Sequence, residues 1–132
     1  MNILLIDDDK DTNFLMDFLL SNLSFVEEYH LKLRASEALD FLAIYQNPLH
    51  CIFVDINMPE MNGFQFVEHF EKKFYKKYPS TRIYFLKSSV RERDRQKAME
   101  FMSVKDFILK PLSKDIMQQI HQNLENPPGE LE

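Results

Sequence analysis

"LLIDDDKDT", Leu4–Thr12, sets an apolar run directly against three aspartates, with a fourth two residues later. Carboxylates this close repel one another and raise each other's pKa. The crowding sits at the end of the first apolar run of the chain. What the chain does with the ends of its other apolar runs decides the fold.

Four more such runs follow: a weaker alternating one at Tyr29–Leu33, then Cys51–Val54, Ile83–Leu86 and Val104–Leu109. Short continuous runs of this kind suit strands covered on both faces. Amphipathic stretches fill the gaps. "NFLMDFLLSNL" places Phe14, Leu15, Phe18, Leu19 and Leu23 on one face, which is expected to face the core. "SEALDFLAIYQ" starts at Ser36, a good N-cap, and carries Leu39, Leu42 and Ala43. "GFQFVEHFEKKFYKKY" carries Phe66, Val67, Phe70 and Phe74, and "RERDRQKAMEFM" is a polar helix anchored by Ala98, Met99 and Met102. "SKDIMQQIHQNL" begins at a cap, Ser113, and turns Ile116, Ile120 and Leu124 inward. Strand then helix, five times over, predicts an α/β fold: a doubly wound five-stranded parallel sheet, (βα)5, with helices on both faces.

A chain of 132 residues is long enough to bury a core of its own. The expected division is one domain over 1–126 and a disordered tail over 127–132, in "NPPGELE". The formal net charge of −5 argues against nonspecific nucleic-acid binding, which needs a basic face. The lone cysteine, Cys51, reads as a small buried hydrophobe, so no internal disulfide framework is expected. "MNILLIDDD" lacks the basic flank of a signal peptide, and no window approaches a membrane span. A cytoplasmic protein with no membrane partner is expected.

In a parallel α/β sheet, ligands bind outside the carboxyl ends of the strands. Strand one ends in Asp7, Asp8 and Asp9, strand three in Asp55, strand four in Lys87, Ser88 and Ser89, and strand five in Lys110 before Pro111. These groups should meet at one rim. Crowded carboxylates tolerate each other around a hard divalent cation, and Mg²⁺ keeps waters that leave room for phosphate oxygens. A cation and Lys110 can stabilise charge on an incoming phosphoryl group, and a carboxylate can accept it.

"ILLIDDD", "FVDINMPEMNGF", "KSSV" and "FILKPL" together resemble the response-regulator receiver domain, over about Met1 to Leu124. The resemblance implies a flavodoxin-like strand order 2-1-3-4-5. It implies that Asp55 is the phosphoacceptor and that Asp7 and Asp8 hold Mg²⁺, Asp8 more directly. Asp55 and the backbone carbonyl of Asn57 would complete the metal ligands. Lys110 would pair with the phosphoryl group, through a cis bond to Pro111. Met58, Pro59 and Gly63 would shape the loop after strand three, and Phe107 would be the aromatic switch residue. The phosphoryl donor would be a sensor histidine kinase or a histidine phosphotransfer domain. Output would pass to a downstream protein effector, because no effector segment follows. Such a domain is a signalling phosphoacceptor with weak autophosphatase activity rather than a dedicated enzyme.

One position departs from the pattern. The family carries Thr or Ser directly after the apolar residues of strand four. Counting from Leu86 puts Lys87 there, while counting back from Lys110 leaves Lys87 or Ser88. The reading adopted has Lys87 in the slot, with Ser88 beside it donating to the phosphoryl group. Lys87 also favours an alternative, a pseudo-receiver binding module not controlled by phosphorylation. A metal-dependent phosphatase would use the same carboxylates.

Other acidic-loop readings fail on spacing. Asp7, Asp9 and Asp11 imitate an EF-hand, but its sixth position is Thr12 and its twelfth Phe18. No glycine-rich phosphate loop follows strand one. The haloacid-dehalogenase signature D-x-D-x-[TV] is missing, since Asp11 stands where Thr or Val belongs. Asp9 and Asp11 read as helix caps. His30, His50, His69 and His121 show no ligand spacing.

Overall fold

The computed structural model describes residues 1–88 and 91–125, so Ser89 and the expected tail over 127–132 lie outside the described residues. Strands β1 (Asn2–Ile6), β2 (Glu28–Lys32), β3 (Cys51–Asp55), β4 (Arg82–Lys87) and β5 (Val104–Leu109) alternate with helices α1 (Lys10–Ser21), α2 (Ala35–Ile44), α3 (Gly63–Lys73), α4 (Glu92–Ala98) and α5 (Lys114–Glu125). All strand pairs are parallel, in the order β2-β1-β3-β4-β5. This is the predicted (βα)5 architecture and strand order. Among the described residues, no helix is long and apolar enough to cross a membrane.

Strand alternation divides the core in two. Leu4, Ile6, Ile52, Val54, Ile83 and Phe85 face α2, α3 and α4, where they meet Leu42, Phe66, Phe70 and Ala98. Ile3, Leu5, Cys51, Phe53, Tyr84 and Leu86 face α1 and α5, against Met16, Leu20, Met117 and Ile120. Strands β1 and β3 are buried at every position. Each large apolar side chain removed from water in this way contributes about 1.5–3 kcal/mol. Burial also pushes the Cys51 thiol up to about 12, so this residue is an inert part of the packing.

Three helix expectations need correction. In α1 the buried residues are Asn13, Met16 and Leu20, while Phe14, Leu15 and Phe18 stand 75%, 59% and 72% exposed. Apolar residues run almost around this helix, so periodicity alone does not choose its inner face. Asn13 chooses it: its Nδ2 donates to the backbone oxygens of Asp7 (2.7 Å) and Asp9 (2.9 Å). Buried carbonyls need donors, and turning Asn13 inward turns Phe14 and Phe18 out. In α2 the N-cap is Arg34, with no side-chain cap bond, and Ser36 lies inside the helix with Ala35, Ala38 and Leu42 buried. Ala43 is exposed. Helix α4 ends at Ala98, its one buried residue, and Met99 and Met102 are exposed beyond it. The α5 cap is as expected, with Ile116 N–H donating to Ser113 Oγ at 3.2 Å.

Gly63 opens α3 against the back of the β3 end. A Cβ there would lie 2.7 Å from the backbone oxygen of Asp55 and 3.0 Å from Ile56 Cα. Neither backbone atom can move aside freely. Gly63→Ala is therefore expected to lower stability by about 1–3 kcal/mol. Phe18→Gln should change it by less than about 0.5 kcal/mol, because Phe18 is 72% exposed. Urea unfolding of both variants checks the pair, and a large loss in Phe18→Gln would contradict the placement of α1.

Candidate functional site

The site is built where β1 and β3 end side by side. Asp7 follows Ile6, and its backbone N–H donates to the Lys32 carbonyl at 3.0 Å, so the β2 end fixes it as well. Its carboxylate is fully buried; Oδ1 accepts from the Asp9 N–H at 3.0 Å. Asp8 is exposed. Asp9 caps α1, accepting from the Asp11 N–H and the Thr12 hydroxyl, each at 3.0 Å. That cap bond to the Asp11 backbone holds the Asp9 carboxyl below the usual range. The capping role predicted for Asp9 holds, whereas Asp11 lies within the first turn.

Asp55 is the last residue of β3, paired in register with Leu86 and 8% exposed. Asp7, Asp8 and Asp55 each bring a carboxylate oxygen to within 4.8 Å of the others. Lys110 comes from the end of β5. Its Nζ donates to Asp7 Oδ2 at 2.7 Å and lies 3.6 Å from Asp55 Oδ1. The backbone sets this reach through the Lys110 N–H, which donates to the Lys87 carbonyl at 2.9 Å. The Lys110–Pro111 bond is cis. Four groups from strand ends spread over 103 residues thus share one shallow pocket.

Burial, with the charges of Asp7 and Asp8 added, pushes the Asp55 carboxyl up to about 6, and Lys110 only partly offsets this. Burial alone would lower the Lys110 ammonium. The Asp7 hydrogen bond and the charges of Asp7 and Asp55 outweigh it, so the net shift is upward and Lys110 stays charged. Three carboxylates against one ammonium leave excess negative charge at a shared point. An oxygen-only donor set of this size suits a small hard cation, so the cluster can hold Mg²⁺.

The loop after β3 is tightly defined. Asn57 is exposed, Met58 is buried, and Glu60 takes a left-handed conformation with φ of 69°. Asn62 then opens α3 with a reciprocal capping box to Gln65. Gly63 N–H returns to the Ile56 carbonyl at 2.8 Å, which closes the loop beside Asp55.

The remaining predicted residues have other settings. Lys87 ends β4, and its Nζ is engaged by Asp94 Oδ2 of α4 at 2.8 Å. Ser88 is exposed just beyond it. Phe107 is buried in the core, its ring 6.1 Å from that of Phe85. Two residues that matter here are missed by sequence reasoning. Asn13 sits within a helix that reads as apolar, and its polarity at an inward position is the available signal. Asp94 has no such signal, because no local spacing links a strand end to the helix that follows.

The family model of the response regulator receiver domain matches residues 3–122. The chain belongs to that family. A two component response regulator from Cytophaga hutchinsonii shares 29% identity with this receiver, with a TM-score of 0.84 over 95% of this chain and 96% of that one. An uncharacterized 14.6 kDa protein of Leptolyngbya boryana is 31% identical over 113 residues, 85% of this chain and 80% of that protein. A probable cyclic di-GMP phosphodiesterase of Vibrio cholerae is 26% identical over 125 residues; these are 94% of this chain but 26% of that protein, so the receiver spans about a quarter of that relative.

The crowding of Asp55 has a measurable consequence. Its folded pKa, about 6, lies above its ordinary value of 3.8. The folded state therefore binds the proton more tightly, and the resulting stability is present in full below about pH 4 and is lost as pH rises through 6. In metal-free buffer, Asp55→Asn should be more stable than the native receiver by about 1–3 kcal/mol at pH 7.5, with little gain at pH 4. Urea unfolding at the two pH values checks this. Equal gains at both would mean that the pocket is not electrostatically strained.

Proposed function

We propose that this receiver accepts a phosphoryl group on Asp55 from a phosphohistidine of a sensor histidine kinase or a histidine phosphotransfer domain, in the cytoplasm. The observation that carries the proposal is the meeting of Asp7, Asp8 and Asp55 within 4.8 Å, with the Lys110 ammonium set among them. In the transfer, a carboxylate oxygen of Asp55 attacks phosphorus; an O–P bond forms as the N–P bond breaks, and the released imidazole takes a proton from solvent. Lys110 faces the charge that develops on the phosphoryl oxygens. Asp7 orients Lys110 through its 2.7 Å bond. Lys87, which ends β4, and Ser88 after it would serve as further phosphoryl contacts.

Asp7, Asp8, Asp55 and the Asn57 carbonyl would hold Mg²⁺. Bound there, the cation would relieve carboxylate repulsion and neutralise phosphoryl charge. Water can later hydrolyse the acyl phosphate, which gives a weak self-limiting dephosphorylation. Output runs to a downstream protein effector through the face of α4, β5 and α5, where Phe107 lies beneath the surface and Leu109 is 56% exposed.

Incubation with phosphoramidate and Mg²⁺ should add ~80 Da by intact mass, with no such adduct in Asp55→Asn. Lys110→Ala should slow its formation by about 100-fold, and Asp8→Asn should raise the Mg²⁺ needed. Failure to form the adduct while Mg²⁺ binds would favour the pseudo-receiver module, to which Lys87 already lends some weight. Steady hydrolysis of a small phosphoester would instead indicate a phosphatase.

A further inference from the structure

Among the described residues, the carboxyl edge carries an ion pair, Lys87–Asp94, whose second partner has no part in phosphoryl transfer. Lys87 stands one residue past Leu86, the register partner of Asp55. Neighbouring strands lie about 4.8 Å apart, so Lys87 is rooted beside the phosphoacceptor. Its ammonium is nonetheless committed to Asp94 on the first turn of α4, at 2.8 Å. Both side chains are largely withdrawn from water, 16% and 18% exposed. This bond, more than any other contact, holds the Asp94 carboxyl below the usual range.

Among the described residues, helix α4 has little else to hold it. It has seven residues and buries only Ala98. A helix this short does not persist on its own propensity. Its other polar ties are longer and wetter: Arg95 lies 3.8 Å from Asp106, with both side chains substantially exposed, and Lys97 sits over the Phe64 ring at 4.7 Å. The Lys87–Asp94 pair is therefore the short, shielded tie between α4 and the edge of the sheet.

Resting on the reading of Asp55 as phosphoacceptor, we propose that Lys87 is an exchangeable latch. In the unmodified receiver it pins α4 through Asp94; a phosphoryl group on Asp55 draws its ammonium away, and α4 is released. The competition favours this direction. A phosphoryl group brings a charge of about −1.5 to −2 near neutral pH, against the single charge of Asp94. Even with Lys110 and a bound Mg²⁺ counted, Asp7, Asp8 and the phosphoryl group would leave the modified site net negative, so a further cation is favoured there. A hydroxyl residue at this position could bind phosphate without giving anything up. A lysine already bound to a helix must release that helix, so the broken ion pair is itself the signal. Reciprocity follows: whatever loosens Asp94 must favour modification of Asp55.

Hydrogen exchange of amides 92–98, with intact mass read on the same samples, tests the latch in excess phosphoramidate and Mg²⁺. In the native receiver, modification should lower α4 protection roughly 5- to 10-fold. Asp94→Asn should show that low protection without phosphoramidate, no further fall on modification, and a larger modified fraction at limiting phosphoramidate. Lys87→Met should match its low protection and its lack of response, which separates the latch from the effect of Asp94 on the helix terminus. Adduct formation with α4 protection unchanged overturns the latch alone. So does an Asp94→Asn receiver whose α4 still loosens by the native factor. No adduct on the native chain overturns the phosphoacceptor reading and the latch with it.

Discussion

The bond between Lys110 and Asp7 organises the carboxyl edge of this receiver. It joins the last strand to the first across 103 residues of sequence, at 2.7 Å, with the carboxylate wholly out of water. A buried charge without a partner is strongly unfavourable, so the position of Lys110 is not optional. What places it is likewise constrained: the pairing of β5 on β4 and the Lys110 N–H bond to Lys87. Asp55 stands on the other side of the same ammonium, 3.6 Å away. One cation thus sets the geometry of both carboxylates.

This arrangement leaves the pocket electrostatically unfinished. Asp7 takes most of the lysine, and Asp55, buried and flanked by like charges, is the group whose proton affinity rises. A folded protein tolerates such a defect where the rest of its core is sound, and here both faces of β1 and β3 are fully packed. Stability is drawn from the apolar layers, while chemistry is concentrated at an edge that would be more stable with fewer charges. Local violations of folding rules at an otherwise consistent structure are what a functional site is expected to show.

The sheet and its order of charged ends were legible in the sequence because they depend on short-range pattern. Apolar runs bounded by Asp7, Asp55, Lys87 and Lys110 mark both the strands and their carboxyl ends. Gathering those ends into one pocket required only that the strands be parallel. Helix faces were less legible. The α1 sequence offers more apolar residues than one face can bury, and the choice fell to Asn13, which serves two carbonyls of the loop carrying the aspartates. In α2 the chain starts its helix without the side-chain cap that Ser36 seemed to promise, because Ala35 and Ala38 must meet the sheet. The Lys87–Asp94 pair was beyond reach for another reason: it depends on how α4 returns over the edge, and no periodicity encodes that.

Lys87 shows how a departure from a family pattern can be read physically. Replacing a short hydroxyl residue by lysine at a strand end changes both reach and charge. An ammonium that can reach an anion over the site can equally reach one on the neighbouring helix, and in this structure it takes the second. The same flexible stem that makes lysine a poor geometric substitute for threonine is what would let it exchange partners, as the proposed latch requires. Its partner in the structure lies on α4, the helix with the fewest buried residues and so the one expected to loosen most readily when a tie is broken. The charge excess at the β3–β4 edge and the weak anchoring of α4 therefore meet at one residue: the lysine that ends β4 is engaged by Asp94 of that helix.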